Sequence, residues 1–292
     1  CKHKYFIKPE MVRIFPFLFI LLWSSAFITT KPIVDNSDPF AALAFRFFFV
    51  AIGFYFFSIF QKQSIFVNKK NIFESIISGV FFHGFYLGGV FYSISIGMPT
   101  SIAALIVTLQ PILTNILAVP LLGEKVTSKQ WVGVLLGFFG ATIVLGIDVG
   151  KEIPQLGLIA TIIALLAITL STIWQKKISN NLSLSVNNFY QAIGGFLFHV
   201  LVIIFFAKPY IEFTKTFIIA MSHQIFLVSF GAFTILMFLI KKDSASKTVS
   251  IFFLIPATSA LMAWFFLGEN FTFIDLTGFL IASIGVYIAT RD

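Results

Sequence analysis

Long apolar stretches follow one another along the chain, separated by short segments that hold most of the charges and turn-forming residues. A helix that crosses about 30 Å of hydrocarbon needs roughly 20 apolar residues. The stretches have about this length, and the alternating pattern of a membrane β-barrel strand is absent from the sequence. The pattern predicts an all-α integral membrane protein with ten transmembrane helices, at Ile14–Val34, Phe40–Phe60, Ile72–Ser95, Thr100–Leu122, Thr127–Ile147, Leu156–Trp174, Val186–Ala207, Phe217–Ile240, Thr248–Leu267 and Phe271–Ala289.

The composition excludes a water-soluble enzyme. Hydrophobic residues make up 58% of the chain and charged residues 11%, whereas a soluble domain carries about 25% charged residues. A single cysteine, Cys1, excludes an intramolecular disulfide and a thiolate zinc cluster. The net charge of +8 lies in short patches between apolar runs, as in membrane proteins. We therefore expect the lipid bilayer as a partner, no nucleic acid, and neither a cofactor nor a metal ion.

The basic residues predict the orientation. Of the 20 Lys and Arg residues, 15 lie on the side of the two termini and four on the opposite side, while Arg46 lies within a span. Positively charged loops stay in the cytoplasm, so both termini are predicted to be cytoplasmic and residues 1–13 to form a cytoplasmic N-terminal segment.

The chain contains an internal repeat. A shift of 145 residues aligns Leu109–Ile143 with Leu254–Ile288 without a gap, and 11 of 35 positions are identical, including a proline, a Gly-Glu turn and two spaced glycines. The same shift places Arg46 on Gln191. We interpret residues 14–147 and 148–292 as two copies of a five-helix unit.

Five is an odd number, so the two copies must cross the membrane in opposite senses. Inverted repeats are typical of secondary transporters, because two related packings of the halves give inward and outward openings. A structural duplication without transport is the alternative.

Several motifs resemble the drug/metabolite transporter superfamily, and within it the EamA-type permeases. The likeness covers nearly the whole chain and rests on Ala103-Ala104-Leu105-Ile106 through Pro111, on Leu121-Leu122-Gly123-Glu124, Thr127, Gln130-Trp131, Gly133 and Gly140, on Pro256 through Gly285, on Trp23-Ser24-Ser25-Ala26-Phe27 and on Ala44-Phe45-Arg46-Phe47. Ser24 departs from the family's first-helix Trp-Gly-x-x-Phe pattern. The resemblance implies a multi-pass permease of the cell inner membrane, in most cases an exporter, for amino acids, amines, drugs or other metabolites.

Arg46 is the basic residue well inside a predicted span. A cation there costs roughly 2.5–3.5 kcal/mol on insertion scales, so something must offset this cost. Arg46 either binds a substrate carboxylate or phosphate, or is a structural arginine that bonds helix carbonyls or extends to the interface.

Acidic residues are missing from the span interiors, which disfavours a proton pump built on a buried carboxylate. His83 is a candidate for a proton or ligand role, since imidazole titrates near neutral pH. The alternative is a hydrogen bond between helices, which is also the expectation for His199.

Two prolines, Pro111 and Pro256, stand at matching positions inside spans and are predicted to kink their helices. Interrupted helices at corresponding positions of two halves indicate a central binding site. Gln110, Asn115 and Ser259 near the kinks are therefore candidate substrate-binding residues, although prolines are also tolerated in ordinary membrane helices.

Large aromatic and amide side chains complete the candidate substrate-binding set, which includes Trp23, Tyr86, Trp174, Tyr190 and Gln191. Aromatic residues also fill cores and anchor helices at membrane interfaces. Trp174, near a cytoplasmic end, also fits an interface anchor.

These features favour a secondary transporter that exports small organic metabolites by alternating access. One interior cation without an interior carboxylate suits a neutral or anionic solute, for example an amino acid. A membrane-embedded transferase acting on lipid-linked substrates is the alternative, although the sequence lacks HExxH, GxSxG and P-loop motifs. A channel or structural partner is a third hypothesis, and the chain fits a monomer or a homodimer.

Overall fold

Ten helices long and apolar enough to cross a membrane dominate the computed structural model, which describes residues 9–146, 153–206, 208–267 and 272–291. No strand forms among these residues, and Ser37 and Ile211 make one isolated bridge. The predicted ten-helix, all-α fold is confirmed. The helices are α1 (Pro9–Val34), α2 (Pro39–Phe60), α3 (Lys69–Ser95), α4 (Thr100–Val107 continued by Gln110–Leu122), α5 (Ser128–Leu145), α6 (Gln155–Ile178), α7 (Leu184–Phe206), α8 (Lys215–Lys242), α9 (Ala245–Ser250, Ile251–Phe253 and Leu254–Leu267) and α10 (Phe273–Thr290).

Some of the predicted features lie outside the described residues. They are residues 1–8 of the predicted N-terminal segment, the predicted repeat boundary between residues 147 and 148, and the turn at Gly268-Glu269.

Local sequence signals set the helix ends. The Asp38 side chain accepts a hydrogen bond from the Ala41 amide at 2.8 Å and caps α2. Thr127 begins α5 with a capping box that pairs it with Gln130. Gly123 ends α4 with a φ of +69°, a conformation that glycine adopts without steric cost.

The turn after α4 also connects the two halves. The Glu124 carboxylate accepts hydrogen bonds from the Ala245 amide at 2.7 Å, the Ser246 amide at 3.1 Å and the Ser246 hydroxyl at 2.7 Å. It therefore caps the N-terminus of α9, where a negative charge is stabilised by the helix dipole.

The helices α5 and α10, one from each copy of the repeat, pack closely through glycines. A Cβ on Gly133 would lie 2.7 Å from the Gly285 carbonyl oxygen, and a Cβ on Gly278 would lie 2.8 Å from that of Gly140. The 145-residue shift exchanges these two contacts. The contact is thus symmetric between the copies and depends on small residues, as is typical of close helix pairs in membranes.

The outer surface of the helices is apolar. Phe139, Phe205 and Ile284 expose 66%, 70% and 55% of their surfaces, which suits contact with lipid chains and not with water. The buried polar side chains lie instead between helices.

Four helices are interrupted, at matching positions of the two copies. Two segments are π-helical: Val80–Leu87 in α3 and Gln224–Ala232 in α8. The shift of 145 brings the first of these segments onto the second. In α4 the helix breaks before Gln110, and a 3-10 turn, Ile251–Phe253, interrupts α9. Because π-helical turns redirect side chains and concentrate at functional sites, these segments mark where to search for a site.

Candidate functional site

A cavity opens between α1, α2, α3 and α8. Its empty space, including the open side, is about 550 Å³. The two π-helical segments provide lining residues from α3 and α8. Four residues of the predicted site line the cavity: Trp23, Arg46, His83 and Tyr86. The lining residues are Trp23, Ala26, Phe27, Thr30, Arg46, Phe82, His83, Tyr86, Leu87, Val90, Phe91, Ile94, Gln224, Val228, Ser229 and Phe233.

Arg46 carries a charge into the wall of this cavity. Its side chain is buried, with 4% exposed, and its Nε donates a hydrogen bond to Ser229 Oγ at 2.9 Å. Its Cζ lies 5.4 Å from the centre of the Phe47 ring. Among the described residues, no carboxylate forms an ion pair with Arg46. A neutral hydroxyl and one aromatic ring do not neutralise the charge of a buried cation as a carboxylate would.

His83 lies beside Arg46 in the π-helical part of α3. Its ring packs between Phe47 at 4.4 Å and Phe233 at 4.5 Å between ring centres. His199 of α7 donates from Nε2 to the His83 carbonyl at 3.0 Å, which is the hydrogen bond between helices expected for His199. Nδ1 of both rings is buried without a hydrogen-bond partner among the described residues.

The rest of the cavity wall is aromatic and aliphatic. Trp23 packs against the rings of Phe19, Phe82 and Phe252 at 5.2, 6.0 and 6.0 Å, and Phe82 packs edge to face with Tyr86 at 5.4 Å. The wall therefore combines one fixed cation with a large apolar surface, as in sites that bury a small organic ligand.

A polar seam between α1 and α8 borders the cavity and was missed by the sequence analysis. His223 Nε2 lies 3.0 Å from Ser25 Oγ, and its Nδ1 lies 3.3 Å from Thr29 Oγ1. Gln224 Nε2 donates to Thr29 Oγ1 at 2.9 Å and to the Ala26 carbonyl at 3.0 Å. A histidine next to a glutamine inside the predicted span Phe217–Ile240 was the signal available in the sequence.

Gln191, which the repeat aligns with Arg46, does not line the cavity. Its Nε2 donates to Gln175 Oε1 at 2.9 Å, and Ser78 Oγ donates to Gln191 Oε1 at 3.2 Å. Ser171 Oγ in turn donates to the Ser78 carbonyl at 3.1 Å. All four side chains are at most 1% exposed. We call Ser78, Ser171, Gln175 and Gln191 the amide network.

The amide network and the cavity occupy equivalent places in the two copies. The 145-residue shift places Gln175 on Thr30, Ser171 on Ala26, and His223 of the polar seam on Ser78. One set of repeat-related positions thus surrounds an open cavity, and the other set holds packed, hydrogen-bonded side chains.

The predicted residues around the proline kinks lie outside the cavity. Gln110 is fully buried and donates from Nε2 to Thr172 Oγ1 at 3.1 Å, and Ser259 Oγ donates to the Ser24 carbonyl at 3.1 Å. Both side-chain polar atoms of Asn115 are buried without a partner among the described residues. Pro111 and Pro256 each stand in the first turn of helix after an interruption.

The two remaining aromatic candidates lie away from the cavity, where Trp174 connects α6 to α3 and Tyr190 connects α7 to the loop before α3. Trp174 Nε1 donates to the Glu74 carbonyl at 3.1 Å, and the Tyr190 hydroxyl donates to the Ile65 carbonyl at 2.6 Å. Within the described residues, no group of three or more His, Cys, Asp or Glu side chains is placed to hold a metal ion.

Comparison with known sequences decides the family. A sequence profile of the EamA-like transporter family matches residues 12–146 and 155–291. The chain belongs to this family. The resemblance seen in the motifs is thereby confirmed, the protein is a multi-pass membrane transporter, and the transferase alternative is set aside because EamA members are transporters. Its bacterial relatives indicate the inner (plasma) membrane.

Two relatives of this EamA protein have names that describe transport. A "probable amino-acid metabolite efflux pump" of Escherichia coli is 23% identical over 281 residues, which cover 93% of this chain and 92% of the relative. An "uncharacterized transporter" of Bacillus subtilis is 26% identical over 219 residues, which cover 71% and 67%. A solved crystal structure shares the fold, with a TM-score of 0.82 over 97% of both chains at 17% identity.

Proposed function

We propose that this EamA protein is a secondary exporter of small organic metabolites that carry a carboxylate, amino acids and their derivatives among them. The observation that carries the proposal is Arg46, a buried cation in a cavity wall whose partner is a neutral hydroxyl. A substrate carboxylate would neutralise the guanidinium and accept two parallel hydrogen bonds from it. The name of the Escherichia coli relative supports this class of substrate.

We further propose that transport proceeds by alternating access. The cavity and the amide network occupy positions that the repeat exchanges, so a rearrangement that packs the cavity and opens the network would interchange the states of the two halves. The charge count predicts that Arg46 lies in the outer half of the membrane and Gln191 in the cytoplasmic half. The structure then corresponds to the state with its cavity in the outer half.

A counterflow assay tests the transport proposal. Proteoliposomes loaded with unlabelled amino acids and their 2-oxo and N-acetyl derivatives receive a trace of each labelled compound, with wild type, Arg46→Gln and Arg291→Gln compared. Arg291 is a suitable control because it lies at the end of α10, stacked on Tyr287 at 4.4 Å. We expect exchange by wild type and Arg291→Gln and its loss in Arg46→Gln. Absence of exchange of every carboxylate by wild type would overturn the proposed substrate class.

Cysteine labelling tests the orientation and the alternating states. In a Cys1→Ser background, Thr30→Cys lines the cavity and Ser171→Cys lies in the amide network. We expect a membrane-impermeant maleimide to label position 30 from outside the cell and position 171 from the cytoplasmic side only. Labelling of both positions from the same side would refute the proposed arrangement.

A further inference from the structure

We propose that the cavity selects carboxylates with a net charge of −1 and an apolar side chain, such as 2-oxo or N-acyl derivatives of aliphatic amino acids, over the zwitterionic amino acids themselves. This inference rests on the proposed function and names the charge class of its substrate. It follows from the charges, hydrogen-bonding groups and ring packing of the cavity wall.

The charge balance of the wall is the first argument. Among the lining residues Arg46 is the fixed charge, and none is Asp or Glu. A carboxylate without an ammonium group leaves the occupied cavity neutral. A zwitterion also pairs its carboxylate with Arg46, but it brings an ammonium that no wall carboxylate can neutralise, and a buried unpaired charge is costly.

Neutral acceptors of the wall can take a hydrogen bond from an ammonium group, but they do not neutralise its charge. Gln224 commits its Nε2 to the Ala26 carbonyl and Thr29 Oγ1, which leaves its amide oxygen as an acceptor for an N–H or O–H of the substrate. An N-acyl amide or a hydroxyl satisfies this acceptor without adding a charge. Thr30 donates its hydroxyl to the Ala26 carbonyl at 2.9 Å and so is engaged with its own helix.

The aromatic rings are also poorly available to an ammonium group. A cation binds over the open face of a ring, but Trp23 is packed against Phe19, Phe82 and Phe252. Phe82 in turn packs against Phe233 at 5.0 Å. These rings provide apolar surface for a substrate side chain more readily than a cation site.

The shape of the wall favours an aliphatic or aromatic substituent. Leu87, Val90, Phe91 and Ile94 follow one another along α3 on the cavity side, and Val228 faces them from α8. A polar or charged substrate side chain would lose its hydration against this surface without gaining a partner.

A matched set of leucine derivatives tests the charge preference. Unlabelled leucine, 4-methyl-2-oxopentanoate, N-acetylleucine and leucinamide share one isobutyl side chain and compete against labelled 4-methyl-2-oxopentanoate in counterflow. We expect the two monoanions to inhibit half-maximally at concentrations at least ten-fold below that of leucine, and leucinamide not to compete. Leucine competing as well as the monoanions would overturn the inference while leaving Arg46-dependent transport intact.

Adding a carboxylate to the wall provides a second test. Thr30→Asp adds a negative charge to the cavity and Thr30→Asn is its neutral, matched control. We expect Thr30→Asp to lose the preference for 4-methyl-2-oxopentanoate over leucine by at least ten-fold, and Thr30→Asn to keep it. An unchanged preference in Thr30→Asp would contradict the charge argument.

Binding to purified protein separates this inference from transport itself. Trp23 fluorescence, with Trp23→Phe as the background control, reports occupancy of the cavity in detergent. Tighter binding of 4-methyl-2-oxopentanoate than of leucine, without any exchange in liposomes, would support the inference and overturn the transport proposal. Equal binding of both, or binding of neither, would overturn the inference.

Discussion

Replacing Arg46 by glutamine should weaken substrate binding by about 30-fold or more and leave the stability of the empty protein close to that of wild type. The variant removes a buried cation that is 4% exposed and has one hydrogen bond, to Ser229. The two effects differ in size because the guanidinium gains its main partner only when a carboxylate is bound.

The magnitudes follow from the surroundings of Arg46. Truncating one partner of a buried, hydrogen-bonded charge pair costs about 2–5 kcal/mol of binding free energy, which corresponds to a loss of affinity of roughly 30-fold to several thousand-fold. In the empty protein, removing a mid-membrane cation recovers about 2.5–3.5 kcal/mol on insertion scales. The hydrogen bond to Ser229 contributes about 1.5–3 kcal/mol and the contact with the Phe47 ring about 0.5–2 kcal/mol, so the net change in the free energy of unfolding is about −2.5 to +1.5 kcal/mol.

Counterflow and unfolding measured on the same preparations check both effects. Arg46→Lys retains the charge but not the bidentate geometry, so its affinity should fall between those of wild type and Arg46→Gln. Arg291→Gln serves as the control in both assays and should change neither value. If Arg46→Gln unfolds more easily than wild type and still exchanges substrate, Arg46 is a structural arginine and the reasoning is refuted.

Three further predictions concern the contacts between helices. Gln191→Leu removes the hydrogen bonds of Gln191 with Gln175 and Ser78 at a cost of about 1–3 kcal/mol, and amide hydrogen exchange in α6 and α7 should accelerate. Unchanged exchange would argue against the proposed opening of the amide network. Gly140→Leu places a side chain where even a Cβ would clash with the Ala282 backbone, so little monodisperse protein should elute from size exclusion. A normal elution profile would contradict the close packing of α5 and α10. Glu124→Gln weakens the cap of α9 by about 0.5–2 kcal/mol. The variant should therefore have a lower Tm than the control Lys125→Gln. Equal Tm values would show that the cap does not need the carboxylate charge.

The membrane spans could be predicted because the bilayer imposes one simple requirement. Any segment that crosses it as a single helix must be apolar for about 20 residues, and this requirement is visible without knowing any contact. Arg46 could be singled out for the same reason, since a cation inside such a segment is costly wherever its neighbours lie.

The residues near the proline kinks show that hydropathy does not identify the contacts of a buried polar side chain. Gln110 and Asn115 are polar and buried, as a binding site near a proline would require, but Gln110 bonds Thr172 of α6 and neither lines the cavity. A polar position in a span indicates that the side chain faces other helices. It does not indicate which helix, or whether a cavity lies between them.

The π-helical segments were also beyond the sequence analysis. The same residue types occur in α-helices and π-helices. Packing against neighbouring helices therefore decides which of the two forms. The turns at Val80–Leu87 and Gln224–Ala232 bring His83 and Ser229 to the cavity wall beside Arg46. The contacts of His223 and Gln224 could not be predicted because their partners in α1 are about 200 residues away in the chain.

The ten spans, the two related halves, the family and the buried cation were predictable from the amino-acid sequence, because apolar length, repetition and charge persist in any packing. Which polar residues meet depends on the tertiary packing. Arg46 and Gln191 occupy equivalent positions in the repeat, yet one lines a cavity and the other is sealed in the amide network. The sequence does not show which helices surround each of these two side chains, because that depends on the packing of one half against the other.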